Sequence, residues 1–167
     1  MAAEPVTASV HIDAPPERVY EYFTRPETIV TWMGERALLE AEPGGRFHLD
    51  IKGAAVRGRF LHLDPPHRLL ISWGYADSDY LPPGASTVEV TLTADRGGTR
   101  VDLEHRDLPP AERPNHISGW THYLTRLRAA APGRNPGPDP GMPDGSPSGS
   151  SQPGLAPGAE PDPTVPA

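Results

Sequence analysis

The feature that most constrains the fold is a series of strand-like segments followed by one amphipathic helix. Residues 119–127 read GWTHYLTRL, and Ile117, Trp120, Leu124 and Leu127 recur at offsets of three, four and three residues. This spacing is typical of one face of a helix. At least six alternating segments precede it, so we predict that the helix covers a sheet. Such an arrangement often leaves a cavity, and the question of function becomes a question about that cavity.

The order of elements predicts an α+β fold with a curved antiparallel sheet. Residues 6–12 alternate as a half-buried strand, the proline pair at 15–16 marks a helix start, and a second short helix is predicted from Pro26 to Trp32. Sequential strands between terminal helices favour an antiparallel sheet with a helix on one face. The remaining strands are predicted at residues 36–41, 46–52, 56–64, 69–75, 86–93 and 99–105.

Composition divides the chain into a domain and a tail. Residues 132–167 contain eleven Pro and seven Gly with almost no large aliphatic side chains. Such a segment cannot bury enough apolar surface to offset its ordering entropy, so we predict a disordered Pro/Gly/Ser-rich tail. Residues 4–131 form the predicted folded domain, whose length suits a single core.

Charge and cysteine content exclude several classes of function. The formal charge is −7, of which Arg134 and four acidic residues of the tail account for −3, leaving −4 on the domain. An acidic domain without a basic cluster argues against nucleic acid and anionic membrane as partners. The chain has no Cys, and none of its seven His form an HxH or HxxxH pair, so no metal and no cofactor are predicted. Without a signal peptide or an apolar span, a cytoplasmic location is expected.

Five strings of residues carry a resemblance to a known family. They are IDAPPERVYEYFTRPETIVTWM at 12–33, EPGGRF at 42–47, LDPPHRLLISW at 63–73, GGTRVDLEHRDLP at 97–109 and GWTHYLTRL at 119–127. In this order they resemble the START-like (SRPBCC, helix-grip) superfamily, with the closest likeness to homologues of the activator of the heat-shock-protein-90 ATPase. The resemblance covers essentially the whole domain, and the tail has no counterpart.

The resemblance implies a helix-grip fold with about seven strands curved around the long C-terminal helix. Members of the superfamily enclose a mostly apolar cavity and bind lipids, sterols, hormones or polyketides, and a few catalyse cyclisation or dehydration. The family provides no invariant catalytic set, so the fold alone does not assign a function.

Inward-facing apolar residues are the candidates for a ligand site. Trp120 packs the helix on the sheet or forms a cavity wall, and Trp32 with Met33 fits a cavity mouth as well as a core. The predicted ligand-binding residues are Trp32, Met33, Phe47, Leu49, Phe60, Trp73, Tyr75, Val90, Leu103, His105, Trp120 and Leu124.

His105 is the candidate for any catalytic role. Its strand parity points it inward with Val101 and Leu103, where it is either a hydrogen-bonded core group or a polar anchor and proton shuttle for a ligand. His62, Asp64 and Glu89 are further polar candidates. No GxSxG, HExxH, P-loop or GxGxxG motif is present.

Three functions from different classes follow from these observations. The first is non-catalytic binding of a small hydrophobic ligand in the cavity between the sheet and the C-terminal helix. The second is a cavity enzyme similar to a polyketide cyclase or dehydratase, which would use His105 as a general acid or base. The third is a co-chaperone role as an ATPase activator, suggested by the family resemblance alone. A homodimer is also possible.

Overall fold

A computed structural model of the protein describes residues 4–139. Seven strands, two short helices and one long helix make up this part of the chain. Their bounds are β1 Val6–Ile12, α1 Pro16–Thr24, α2 Pro26–Ile29, β2 Arg36–Leu39, β3 Arg46–Ile51, β4 Ala54–Asp64, β5 Arg68–Trp73, β6 Ser86–Asp95, β7 Gly98–Arg106 and α3 Arg113–Ala130. A 3₁₀ turn, Pro110–Glu112, leads into α3.

The seven strands form one antiparallel sheet in the order β1-β7-β6-β5-β4-β3-β2. Every strand after β1 lies beside its neighbour in sequence, and β1 returns to the far edge to pair with β7. The predicted α+β class with a seven-stranded curved sheet and a C-terminal helix, the helix-grip arrangement, is therefore confirmed. The register places Val88 of β6 opposite His105 of β7, which sets the inner polar positions described below.

Charged side chains hold the outer face of the sheet together. Glu89 and Glu104 lie directly opposite each other on β6 and β7, an arrangement that like-charge repulsion would destabilise. Arg106 donates to both carboxylates at 2.7 and 2.9 Å, and Arg68 donates to Glu89 at 2.6 Å. The hydrogen bonds from Arg106 and Arg68 lower the pKa of Glu89. Glu89 is thus a partner of two arginines on the outer face and does not face the interior.

The long helix begins earlier than predicted, and three of the four residues predicted for its buried face, Trp120, Leu124 and Leu127, are buried. It starts at Arg113, with Pro114 in its first turn, where the missing N–H of proline costs no hydrogen bond. Ile117 is 45% exposed and lies off the buried face, so its assignment to the apolar stripe was wrong. The residues of α3 that are buried are His116, Gly119, Trp120, Tyr123, Leu124, Leu127 and Ala130.

Other element boundaries differ from the prediction by a few residues. The second helix ends at Ile29 instead of Trp32, and the β-branched pair Val30–Thr31 follows it in a turn. Tyr75 lies beyond β5 and forms an isolated bridge with Val56. A register shift between Phe60 and His62 of β4 adds one residue to that strand.

The chain continues past the predicted domain boundary at residue 131. Residues 132–139, the first part of the predicted tail, turn back after α3 and contact the domain, as detailed below. Residues 140–167 lie outside the described residues. Within residues 4–139, no helix has the length and apolar character needed to cross a membrane.

We expect Leu127→Ala to lower the free energy of unfolding by about 2–5 kcal/mol, because Leu127 is fully buried between α3 and the sheet. Ile117→Ala on the same helix serves as the control and should cost less than about 1 kcal/mol. Urea denaturation of both variants measures the difference. Equal losses would contradict the buried face assigned to α3.

Candidate functional site

All twelve residues predicted to bind a ligand are buried, at most 4% exposed. Eleven of them belong to one hydrophobic core that lies between the concave face of the sheet and the helices, and His105 is a buried polar residue beside it. The further polar candidates are elsewhere: His62 and Asp64 are exposed, and Glu89 belongs to the outer ion pairs. The interior therefore contains the apolar candidates together with His105.

Trp73 is at the centre of the aromatic part of this interior. Its ring centroid lies 5.2 Å from that of Trp120, 5.9 Å from Phe47 and 5.8 Å from the imidazole of His105. Trp32 is in a separate group, edge-on to Phe23 at 5.2 Å, and its Nε1 donates to the carbonyl of Tyr22. The structure therefore brings residues from β3, β5, β7 and α3 around Trp73 and places Trp32 near the short helices.

His105 is fully engaged in hydrogen bonds. The indole N–H of Trp120 can only donate, so at 3.0 Å it requires Nδ1 of His105 to be an acceptor. The imidazole proton is then on Nε2, 2.8 Å from Oγ of Ser86. Ser86 in turn donates to the carbonyl of Trp73 at 2.7 Å. Because the serine accepts from the histidine, the pair lacks the proton direction that a nucleophilic serine requires.

His116, in the first turns of α3, belongs to a second buried series of hydrogen bonds. Nε1 of Trp73 donates to the Tyr75 hydroxyl at 2.9 Å. That hydroxyl donates to Nε2 of His116 at 3.0 Å, because the other ring nitrogen of the neutral histidine must donate to a backbone carbonyl. Nδ1 of His116 then carries the proton and donates to the carbonyl of Glu112 at 2.8 Å. The His116 ring stands edge-on to His105, with centroids 5.1 Å apart.

The environment favours neutral forms of both imidazoles. Burial lowers the pKa of His105 well below its ordinary value, and the neighbouring His116 lowers it further. Burial also lowers the pKa of His116, against an opposing effect of its hydrogen bond to the Glu112 carbonyl. Burial raises the pKa of the Tyr75 hydroxyl, which keeps it a donor. The site thus holds protons at fixed positions near neutral pH.

Two buried polar atoms accept no hydrogen bond from the described residues: Oε1 of Glu112 and the hydroxyl of Tyr20. Oε1 of Glu112 lies 3.8 Å from Nδ1 of His116, beyond hydrogen-bonding distance, and the side chain is 10% exposed. Burial raises the pKa of this carboxyl group. An unsatisfied buried polar atom is costly, and Glu112 and Tyr20 are the two described residues whose buried side-chain atoms the fold leaves without a hydrogen bond.

Comparison with known proteins bears on this arrangement. Residues 13–131 match the family model described as "Activator of Hsp90 ATPase homolog 1-like protein". The chain belongs to this family. The match includes all strands after β1 and the whole of α3, so the interior described above lies within the AHSA1 domain.

Proteins similar to this chain include a human activator homologue and bacterial proteins. The human activator of 90 kDa heat shock protein ATPase homolog 1 is 31% identical over 109 residues, 65% of this chain but only 31% of the human protein. The solution structure of an AHSA1-like protein from Rhizobium etli is 44% identical, with a TM-score of 0.68 and coverage of 84% of this chain and 88% of that one. CalU16 from Micromonospora echinospora is 30% identical, with a TM-score of 0.60 and coverage of 72% and 71%.

Sequence analysis of this AHSA1 domain missed three polar members of the interior: Ser86, Glu112 and His116. For His116 a signal was present, because it lies four residues before Trp120 and hence on the same helix face. Ser86 begins β6, and its inward orientation follows from the parity of Val88 and Val90. Glu112 gave no signal, since its burial depends on the 3₁₀ turn before α3.

We expect stability to fall as the pH is lowered from about 7 to about 5, because the unfolded imidazoles bind protons near pH 6.5 while the folded His105 and His116 bind them only at lower pH. The raised pKa of Glu112 acts with the opposite sign and reduces the net slope. His116→Gln should lower the slope by at most about 1.4 kcal/mol per pH unit.

Urea denaturation at several pH values measures this slope. The exposed His62, replaced in His62→Gln, provides the control and should leave the slope unchanged. A slope that is the same in wild type and His116→Gln would contradict the assignment of His116 as a buried neutral group.

Proposed function

We propose that this chain binds a small, largely apolar ligand that carries a hydroxyl group, between the concave face of the sheet and α3. The core side chains between the sheet and α3 are aliphatic and aromatic, which supports an apolar ligand. In this proposal the contact residues are the twelve predicted ligand-binding residues, and the hydroxyl group of the ligand binds at Glu112.

The observation that carries the proposal is the unpartnered carboxyl oxygen of Glu112. Burying this oxygen without a partner costs free energy that a ligand could recover by forming the missing hydrogen bond. A hydroxyl group suits this position in either protonation state, because it can donate to a carboxylate and accept from a carboxylic acid. The Tyr75 hydroxyl and both ring nitrogens of the nearby His116 already have hydrogen-bond partners, so the proposal takes the Glu112 carboxyl group as the anchor.

The cavity-enzyme alternative has less support. A general acid or base needs a proton or lone pair directed at the substrate. Both ring nitrogens of His105 are bonded, one to Trp120 and one to Ser86. Catalysis by His105 would first have to break one of these bonds.

To test the proposal, 2-naphthol and naphthalene are titrated into the full-length protein by following tryptophan fluorescence. We expect 2-naphthol to bind about tenfold more tightly, the difference expected for one hydrogen bond to a carboxyl group. Glu112→Leu should abolish this preference while retaining binding of naphthalene, because it removes the anchor and keeps the apolar interior.

Glu27→Leu is the matched control, since Glu27 is exposed on α2 and should leave both affinities unchanged. Absence of saturable binding by either compound would overturn the proposal. Equal affinity for the two compounds in wild type would overturn the role of Glu112. Circular dichroism of each variant shows whether the fold is retained.

A second candidate is activation of an Hsp90-type ATPase, favoured by the 31% identity with the human activator. This chain spans only 31% of the length of that relative, so any activation would rest on one of its parts. The test measures ATP hydrolysis by Hsp90 with and without excess protein. Ligand binding alone predicts no change in the rate, whereas a reproducible stimulation would support the co-chaperone role.

A further inference from the structure

The segment after α3 lies across a groove on the surface of the domain. Residues 133–139, here called the strap, border a pocket of about 720 Å³. The rest of the pocket wall comes from α1, the turn after α2, the β3–β4 turn and the outer side of α3. The domain residues that line it are Tyr22, Val30, Thr31, Gly34, Glu35, Lys52, Arg126 and Ala130.

The domain binds the backbone of the strap through its carbonyl groups. Arg126 donates from NH2 to the carbonyl of Gly137 at 2.8 Å and is 3.5 Å from that of Pro138, and Nζ of Lys52 donates to the carbonyl of Asp139 at 2.9 Å. Arg126 is itself oriented by a bond from its Nε to the carbonyl of Trp32 at 3.1 Å. Three successive carbonyls are therefore contacted by two cationic side chains.

The side chain of Asp139 binds to two residues of α3, His122 and Tyr123, which are here called the clamp. Nε2 of His122 lies 2.8 Å from one carboxylate oxygen, and the hydroxyl of Tyr123 donates to the other at 2.6 Å. His122 and Asp139 are only 14% and 13% exposed. Burial, and then the hydrogen bond to Asp139, raise the pKa of Tyr123, which keeps this hydroxyl a donor. Two donors thus meet one carboxylate at a largely desolvated position.

At residues 137–139 the domain donates hydrogen bonds and the strap accepts them. The donors belong to Lys52, His122, Tyr123 and Arg126, and the acceptors are carbonyl and carboxylate oxygens. Nearer to α3, the N–H groups of Gly133 and Arg134 donate to the carbonyls of Ala130 and Ala129. Prolines suit such a surface because they have no N–H that would need an acceptor, and their fixed φ lowers the entropy lost on binding. The surface therefore matches a Pro-containing segment that turns at Gly137 and carries a carboxylate.

We propose that this groove is a recognition site for a proline–aspartate peptide of a partner polypeptide, which the chain fills in cis with its own strap. The tail sequence supports Pro-Asp-Pro as the recognised motif, because Pro138-Asp139-Pro140 recurs as Pro161-Asp162-Pro163. Since the site is separate from the interior around Glu112, the inference does not depend on the proposed ligand. A short tether gives the cis segment an effective concentration in the millimolar range, so partner binding in wild type is masked.

The experiment uses the full chain with the aspartates of both Pro-Asp-Pro motifs removed, Asp139→Ala with Asp162→Ala. A fluorescein-labelled peptide of the sequence RNPGPDP, that of residues 134–140, is titrated against it by fluorescence polarisation. We expect the peptide to bind the double variant at least about tenfold more tightly than wild type, because the cis competitor has been weakened. Asp77→Ala, which changes an exposed loop aspartate, is the control and should behave as wild type.

Two further changes identify the clamp. Replacing the aspartate of the peptide by asparagine, or introducing Tyr123→Phe into the double variant, should each weaken binding by about tenfold through loss of a charge-assisted hydrogen bond. Tyr123→Phe keeps the buried ring, and ¹⁵N–¹H spectra verify the fold. Absence of peptide binding by a folded double variant, or equal binding of the asparagine peptide, would overturn the proposal.

Discussion

Two tryptophans that can only donate hydrogen bonds fix the direction of the polar contacts between α3 and the sheet. Trp120 donates to His105, which donates to Ser86, which donates to the carbonyl of Trp73. From the same Trp73 the indole donates onward to Tyr75, whose hydroxyl leads to His116 and the Glu112 carbonyl. The path starts on α3, passes through β5, β6 and β7, and returns to the beginning of α3. A satisfied buried network of this kind specifies one arrangement of helix on sheet.

The same network explains why α3 buries the face it does. His116 and Trp120 must both point at the sheet to complete the path, and this orientation leaves Ile117 toward solvent. The apolar side chains Leu124 and Leu127 then continue the buried face toward the end of the helix. Polar bonding at the start of α3 and apolar packing at its end therefore act together to set its rotation about its own axis.

The fold was predictable because it depends on patterns that a sequence displays directly. Alternation in β3, β5 and β7 marked their inner faces, and the five family strings confirmed their order. Ile117 was misassigned because apolar spacing cannot show that a histidine one position earlier takes the buried place. His105 was correctly placed inside, but its bonding to Ser86 and Trp120 depends on which side-chain atoms meet across β6, β7 and α3. No sequence pattern contains that information.

The strap illustrates a different limit of reasoning from composition. A Pro/Gly-rich segment offers little apolar surface, and composition therefore predicts no core for it. The contacts of residues 137–139 are made instead by carbonyls and one carboxylate, and they depend on Arg126, His122 and Tyr123 being spaced along one helix. The side chains that determine this binding therefore belong to the domain, and the composition of the bound segment does not reveal it.

The buried hydrogen bonds run from indole N–H groups to backbone carbonyls, and this direction prevents them from transferring protons. In a proton wire, each hydrogen-bonded group donates one proton to the next group and receives one from the group before it. After the transfer, every hydrogen bond in the row has the opposite direction. Here the path consists of two rows. Each row begins at an indole, that of Trp120 or Trp73, which cannot accept a proton, and ends at a backbone carbonyl, that of Trp73 or Glu112, which has none to release. The hydrogen bonds between α3 and the sheet therefore cannot relay protons along these rows, although hydroxyl and imidazole groups form them.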